Sequence, residues 1–262
     1  MSLDNKNYLC QTVRRRLQEQ SPAFRMYIDA ILPDHNAVLL LKELSRQCEV
    51  YVFGGVIRNF LLGYPFHRDL DFVVCTDESL SLPIQLLRGY KITKNKFGGV
   101  KLSKGNFVVD VWNMKDSWGI LNRGGKNTPY NLINTVFFNF SAVIYSYNNQ
   151  RFISSEYFDN FYNNHVMEVV FKRNPFPSSC VVNSFHYTQT YNFSIGKSLR
   201  KWICRYGEEE EYEQQQIRRY GEILYPNDVI NAFVCICKKV NQSDSVVVIH
   251  DSRKRQYIVK FE

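Results

Sequence analysis

No stretch of this chain approaches the roughly 18 consecutive apolar residues that span a bilayer, so a membrane-embedded protein is excluded from the expectations. No signal peptide is expected from the N-terminal residues. The seven cysteines are odd in number and include no zinc-like pair of Cys-x-x-Cys units, which points to reduced thiols in a cytoplasmic protein. Cys235 and Cys237 read as buried hydrophobes, not as ligands. No internal repeat or low-complexity segment stands out, which removes solenoids and arrays from consideration.

What is present is basic and aromatic. The 262 residues suit one large domain or two modest ones. A formal net charge of +8, with 17 Tyr and 19 Phe, fits a polyanionic partner such as RNA, with rings available for base stacking. Charge and aromatics do not by themselves identify that partner, because many of the rings belong in a core.

The segment from Val52 to Val74, VFGGVIRNFLLGYPFHRDLDFVV, carries the chemistry. Cys48 to Phe53 is an apolar, β-branched run ending at Gly54-Gly55, and Val56 to Leu62 has apolar residues at helical spacing, which predicts strand, tight turn and helix. Two glycines let the backbone approach a ligand, and the helix start offers unpaired N–H groups that suit a phosphate. Gly63 ends the helix and Pro65 prevents its resumption. Asp69-Leu70-Asp71-Phe72-Val73-Val74 then alternates so that two carboxylates share one face of a strand. Carboxylates one pleat repeat apart can ligate the same hard cations, and Mg²⁺ shares its oxygen ligands between carboxylates and substrate phosphates. The hairpin from Gly99 to Trp112, turning at Lys104-Gly105-Asn106, supplies a third carboxylate at Asp110.

These residues resemble the head domain shared by CCA-adding tRNA nucleotidyltransferases and bacterial poly(A) polymerases, in the polymerase β-like superfamily. The family signature runs approximately GGxVRDxLLGxxxxDxD. Gly54, Gly55, Ile57, Arg58, Leu61, Leu62, Gly63, Asp69 and Asp71 fall on it in order, and Asn59 stands where the family has an aspartate. The resemblance covers about residues 25 to 205. It implies an α+β fold: a mixed sheet with helices on one side, then a short helical neck-like region and a small C-terminal α/β appendage. It also implies that Asp69, Asp71 and Asp110 are catalytic and hold two Mg²⁺ ions, that Gly54 and Gly55 contact the triphosphate, and that Arg58 fixes the phosphates or the loop around them.

Two departures bear on nucleotide choice. Leu132-Ile133-Asn134 sits where the family has its RRDFTINALA segment, but Thr128 and Pro129 fall on the two arginines, leaving Arg123 and Lys126 as the nearest basic substitutes. In the neck helix, Cys180, Asn183 and His186 occupy the arginine positions that select CTP or ATP. An arginine is a rigid fork of donors that neither Cys nor Asn reproduces, so Asn183 and His186 become the candidates to touch the base.

The expected organisation is an N-terminal helical extension over 1–24, a nucleotidyltransferase head over 25–160, a neck-like region over 161–225 and a C-terminal helix and β-hairpin over 226–262. Helices are expected over Tyr8 to Gln20, Ala37 to Gln47 and Asn227 to Lys239, with an acidic helical run from Glu208 to Glu213. The N-terminal helix reads as a solvated basic face or a nucleic-acid contact.

The leading expectation is an Mg²⁺-dependent nucleotidyltransferase that moves NMP from an NTP to the 3′ hydroxyl of an RNA, tRNA being the acceptor the resemblance implies, by a two-metal mechanism. One alternative keeps the carboxylates and moves the acceptor to a protein or small molecule, as in toxin or defence systems. Another is a non-catalytic RNA-binding or protein-partner module with the same fold.

Overall fold

In the computed structural model the chain is described over residues 3–65, 69–78, 82–94, 98–207, 211–239 and 245–262. It divides into two compact units, Met1–Val136 with Phe140–Tyr162, and Phe137–Asn139 with Asn163–Glu262.

The first unit opens with α1 (Leu3–Ile31) and α2 (His35–Gln47), followed by β1 (Glu49–Phe53), α3 (Gly55–Leu62) and β2 (Asp69–Cys75). Then come β3 (Lys91–Lys94), β4 (Val100–Lys104), β5 (Phe107–Asn113), α4 (Trp118–Arg123), α5 (Pro129–Ile133), β6 (Val143–Ser146), β7 (Arg151–Ser154) and α6 (Glu156–Asn164). The strands form one sheet in the order β3-β4-β5-β2-β1-β6-β7, in which β2 and β5 run parallel and the other pairs antiparallel. This is the mixed α+β sheet the sequence implies.

Strand alternation divides the side chains between two faces. Val50, Val52, Leu70, Phe72, Leu102 and Val109 are buried on one face, and α1, α2 and α3 cover it. Phe24 of α1 packs against Phe60, Tyr145 and Phe152, with ring centroids 4.8–5.0 Å apart. The opposite face gathers Tyr51, Val73 and Ile144 with Met114, with Ile120 of α4, and with Leu132 and Ile133 of α5. The long helices thus lie on one side, and two short ones cover part of the other.

Helix α1 continues through Pro22 to Ile31 and is longer than the segment its basic repeat marks. Val13, Leu17, Phe24 and Ile28 form its buried stripe, and burial of that stripe outweighs the one hydrogen bond that Pro22 removes. Arg14 on this helix pairs with Asp159 at 3.0 Å. Helix α2 starts at His35 because Asp34 caps it, accepting from the Ala37 N–H at 2.9 Å.

The second unit contains β8 (Val166–Met167), α7 (Pro177–Tyr191), β9 (Ser194–Ile195), α8 (Lys197–Tyr206), α9 (Tyr212–Tyr220), α10 (Asn227–Lys239), β10 (Val246–His250) and β11 (Gln256–Lys260). The expected neck helix, C-terminal helix and hairpin are all found. Residues 208–210 of the acidic run lie outside the described residues; α9 begins at Tyr212, within the run, and includes Glu213. Phe185, Tyr225, Phe233 and Tyr257 make an aromatic core within this unit. Cys237 is buried, but Cys235 is exposed, which corrects the expectation that both are core residues. Two positions along a helix turn a side chain to a different face, so only one member of the pair meets the core. Among the described residues, no helix is long and apolar enough to cross a membrane.

Candidate active site

The β1-to-β2 connection builds the site. Gly54 has φ of +84°, a conformation that disfavours any residue with a Cβ, and it forms the N-cap of α3. A Cβ built on Gly54 would lie 2.4 Å from Asp71 Oδ2, so the glycine gives Asp71 the space it occupies. At Gly55 an added Cβ would meet Arg58 Nη2 at 3.3 Å. Both predicted glycines therefore make room for predicted site residues.

Three carboxylates stand on one face of the adjoining strands β2 and β5. Asp71 on β2 lies in register with Phe53 on β1 and with Asp110 on β5. Asp69, two residues before Asp71, shares its face. As a residue Asp71 keeps some exposure, but its carboxyl is tucked against Gly54. Burial, then the negative charges of Asp110 and Asp69, push it up to about 7, with Lys101 pulling the other way. Burial also raises Asp110, against the pull of Lys101.

Lys101 on β4 is a residue the sequence reading missed. It sits in register with Asp110, its Nζ 3.4 Å from Asp110 Oδ2. The signal was present: the hairpin turn sets the pairing, and counting back from it puts Lys101 opposite Asp110.

The donor set consists of hard carboxylate oxygens, which suit Mg²⁺ or Mn²⁺. Burial first, and then the charges of Asp110 and Asp69, lift Asp71, as happens in sites that accommodate a cation. Among the described residues, however, no group of three or more His, Cys, Asp or Glu side chains is gathered closely enough to hold a metal as it stands. Asp110 is engaged by Lys101.

Arg58 is buried, 7% exposed. Its Nε and Nη2 donate to Asn59 Oδ1 at 3.1 and 2.9 Å, and Asn59 Nδ2 donates to the Pro65 carbonyl at 2.9 Å. These contacts tie Arg58 and Asn59 to the chain at Pro65, just after α3.

Thr128 and Pro129, on the family's arginine positions, form a helix start. Thr128 Oγ1 accepts from the Asn131 N–H at 3.2 Å, and Pro129 takes the first helical position. Arg123 ends α4 and donates to the Asn134 carbonyl at 2.6 Å, while Lys126 is an exposed loop residue whose carbonyl accepts from Asn131.

Asn183 and His186 lie on α7 in the second unit. Asn183 Oδ1 accepts from the Tyr220 hydroxyl at 2.6 Å, and His186 Nδ1 lies 3.0 Å from the Tyr225 hydroxyl. Both are tied into that unit's own framework.

Compared with solved structures, the chain superposes on a CCA-adding enzyme in complex with CTP with a TM-score of 0.56, at 16% identity, over 88% of this chain and 58% of that one. A CCA-adding enzyme with ATP gives 0.52 at 16% identity, over 76% and 51%. A tRNA-processing enzyme gives 0.50 at 19% identity, over 63% and 45%. By sequence alone, neither a protein-family model nor a curated protein matches the chain. At these identities the likeness is one of fold: the chain has the mixed α+β fold of CCA-adding enzymes, as its motif implied. It spans about half the length of the enzymes it matches.

Proposed function

We propose that the chain is a nucleotidyltransferase that moves a nucleoside monophosphate from an NTP to the 3′ hydroxyl of an RNA, with tRNA as the acceptor. The observation that carries this reading is the coupled set Asp69, Asp71 and Asp110 on one face of β2 and β5, with Gly54 making room for the central carboxylate. The shared fold with CCA-adding enzymes solved with CTP and ATP supports it, as does the net charge of +8.

Asp69, Asp71 and Asp110 would hold Mg²⁺. A divalent ion held there would supply the charge that offsets the triphosphate and favours attack by the acceptor hydroxyl. The chain's own residues hold positions and supply charge. Gly54 and Gly55 keep side chains away from the phosphates, and the first N–H groups of α3 offer donors to them. Arg58 and Asn59 hold the chain at Pro65, just after α3. Arg123 and Lys126 supply cationic charge in the stretch where the family's arginine pair is absent.

The test is to incubate the protein with Mg²⁺ and each labelled NTP in turn, with total RNA and total protein present. Label on tRNA-sized RNA, lost in Asp71→Asn, supports the proposal. Label on protein moves the acceptor. No label above that of Asp71→Asn contradicts the proposal.

A further inference from the structure

Helix α8 reads KSLRKWICRY and carries Lys197, Arg200, Lys201 and Arg205 with no carboxylate among them. Leu199, Trp202 and Ile203 turn inward and are buried, so the apolar face of the helix is already used by the core of its own unit. The Trp202 Nε1–H donates to the Lys172 carbonyl at 2.9 Å, which places that exposed lysine next to the helix. On the outward side Lys197, Lys201 and Arg205 are all exposed. Each is four residues from the next, so they stand one above another along about 12 Å of helix. Arg200 and Lys238 of α10 bear on Cys204, whose thiol burial raises while the two cations pull it down.

Local rules oppose this arrangement. Like charges four residues apart repel along a helix, and a lysine in the first turn opposes the helix dipole. Among the described residues, none of Lys197, Arg200, Lys201, Arg205 and Lys238 forms an ion pair that would relieve the repulsion. Glu168 is committed to the backbone of α8, accepting from the Ser198 N–H at 2.7 Å and the Leu199 N–H at 3.1 Å. In the acidic run that follows, Glu213 and Glu211 accept from the backbone and side chain of Asn227. A cation stripe kept against local preference, with no carboxylate to answer it, is a surface for a polyanion. It is not a surface for lipid, because a helix that lies in a membrane needs a free apolar face. Tyr206, 40% exposed at the end of the stripe, adds a ring on which a base can stack.

We propose that the outward face of α8 holds the sugar-phosphate backbone of RNA, with Lys197, Lys201 and Arg205 each set against a phosphate. This inference rests on the reading of RNA as the acceptor and deepens it by naming a surface that shares no residue with the carboxylate site. Contacts to phosphate position a strand without reading its sequence, so α8 holds RNA of any sequence alike.

The experiment measures binding without NTP. Fluorescence anisotropy follows labelled oligo(U) and oligo(A) on the full chain across a KCl series, for wild type and for Lys197→Gln/Lys201→Gln/Arg205→Gln. The pair Lys197→Gln/Arg205→Gln replaces the triple variant if circular dichroism shows it misfolded. Each phosphate contact on a single strand contributes about 0.7 to the slope of log affinity against log salt, so losing three is expected to lower the slope by about 2. Both RNAs should also bind about tenfold more weakly, or worse, at low salt. Wild-type slope and affinity in the variant overturn the role of α8 and leave the transfer reading intact. A loss confined to one of the two RNAs overturns backbone recognition, and competition by polyglutamate at the potency of RNA overturns RNA as the partner. No RNA binding by wild type overturns both this inference and the RNA acceptor. Binding that depends on α8, in a protein that labels no RNA from any NTP, upholds this inference and contradicts the transfer reading alone.

Discussion

Gly54 and Asp71 are locked to each other: a Cβ on Gly54 would stand 2.4 Å from Asp71 Oδ2, at a backbone φ of +84°. The clash is with the central carboxylate of the site and the strain is in the turn that presents it. Gly54→Ala is therefore expected to cost about 1–3 kcal/mol of stability, the scale of a residue forced into a sparsely populated conformation. It should also remove transfer activity even where the variant stays folded. Denaturant unfolding and labelled-NTP transfer check the two parts separately, and a variant with wild-type transfer contradicts the assignment of Asp71.

Asp71 sets a pH dependence. Its folded carboxyl is pushed from an ordinary value of 3.8 up to about 7, chiefly by burial and then by Asp110 and Asp69. A carboxyl raised on folding keeps its proton in the folded state while the unfolded chain has lost it, so the folded state binds more protons between those two values. Stability of the metal-free protein is expected to fall as pH rises from about 4 to about 7, by a few kcal/mol at most, and to level off above. Asp71→Asn should flatten that slope, and added Mg²⁺ should restore stability at pH 8 for wild type alone. Thermal melts across pH measure both, and an Asp71→Asn protein with the wild-type slope contradicts the cause.

Much of this site was legible because short-range rules fix it. The run into Gly54-Gly55, the stop at Gly63 and Pro65 and the Asp-x-Asp alternation read directly as β1, α3 and β2, and the Lys104-Gly105-Asn106 turn read as the β4–β5 hairpin. Lys101 was readable from that same turn but carries no motif of its own. Other features depend on partners distant in sequence. The passage of α1 through Pro22 needs Phe24 against Tyr145 and Phe152, and Asn183 meets Tyr220. Periodicity within one segment carries no trace of either.

Arg58 and Asn59 act as one unit that reaches the Pro65 carbonyl just after α3. Arg58→Lys keeps the charge but cannot place two N–H groups on one carbonyl oxygen, and Asn59→Ala frees the Pro65 carbonyl. Each is expected to cost about 1–3 kcal/mol, the range for a buried polar group left without its partner. The double variant should cost less than the two single losses added together, since the residues share a contact. A double-mutant cycle by urea unfolding measures this, and full additivity contradicts the coupling.

Away from the carboxylates, Asp34 gives a control. It caps α2 through the Ala37 N–H at 2.9 Å, and it also accepts from Lys104 Nζ at 2.6 Å and from the Tyr90 hydroxyl at 3.0 Å. Burial works against its charge, but the hydrogen bonds from Lys104, Ala37 and Tyr90 outweigh burial and hold the carboxyl below its usual range. A depressed carboxyl stabilises above its unfolded value, and that contribution is lost as pH falls through the folded one. Asp34→Ala should cost about 1–2 kcal/mol at neutral pH, the upper range for a lost cap, and less in acid. Transfer activity should be unchanged, because Asp34 touches none of the site residues. A loss that stays constant into acid contradicts the cap's charge as the cause.

Asp69, Asp71 and Asp110 are the proposed catalytic site for nucleotide transfer to RNA. The most direct measurement is the labelling of total RNA by each NTP with Mg²⁺, run side by side for wild type and for Asp71→Asn matched in fold by circular dichroism. The account predicts label on tRNA-sized RNA from wild type and none above background from the variant. Equal labelling by both proteins, or none by either, contradicts it.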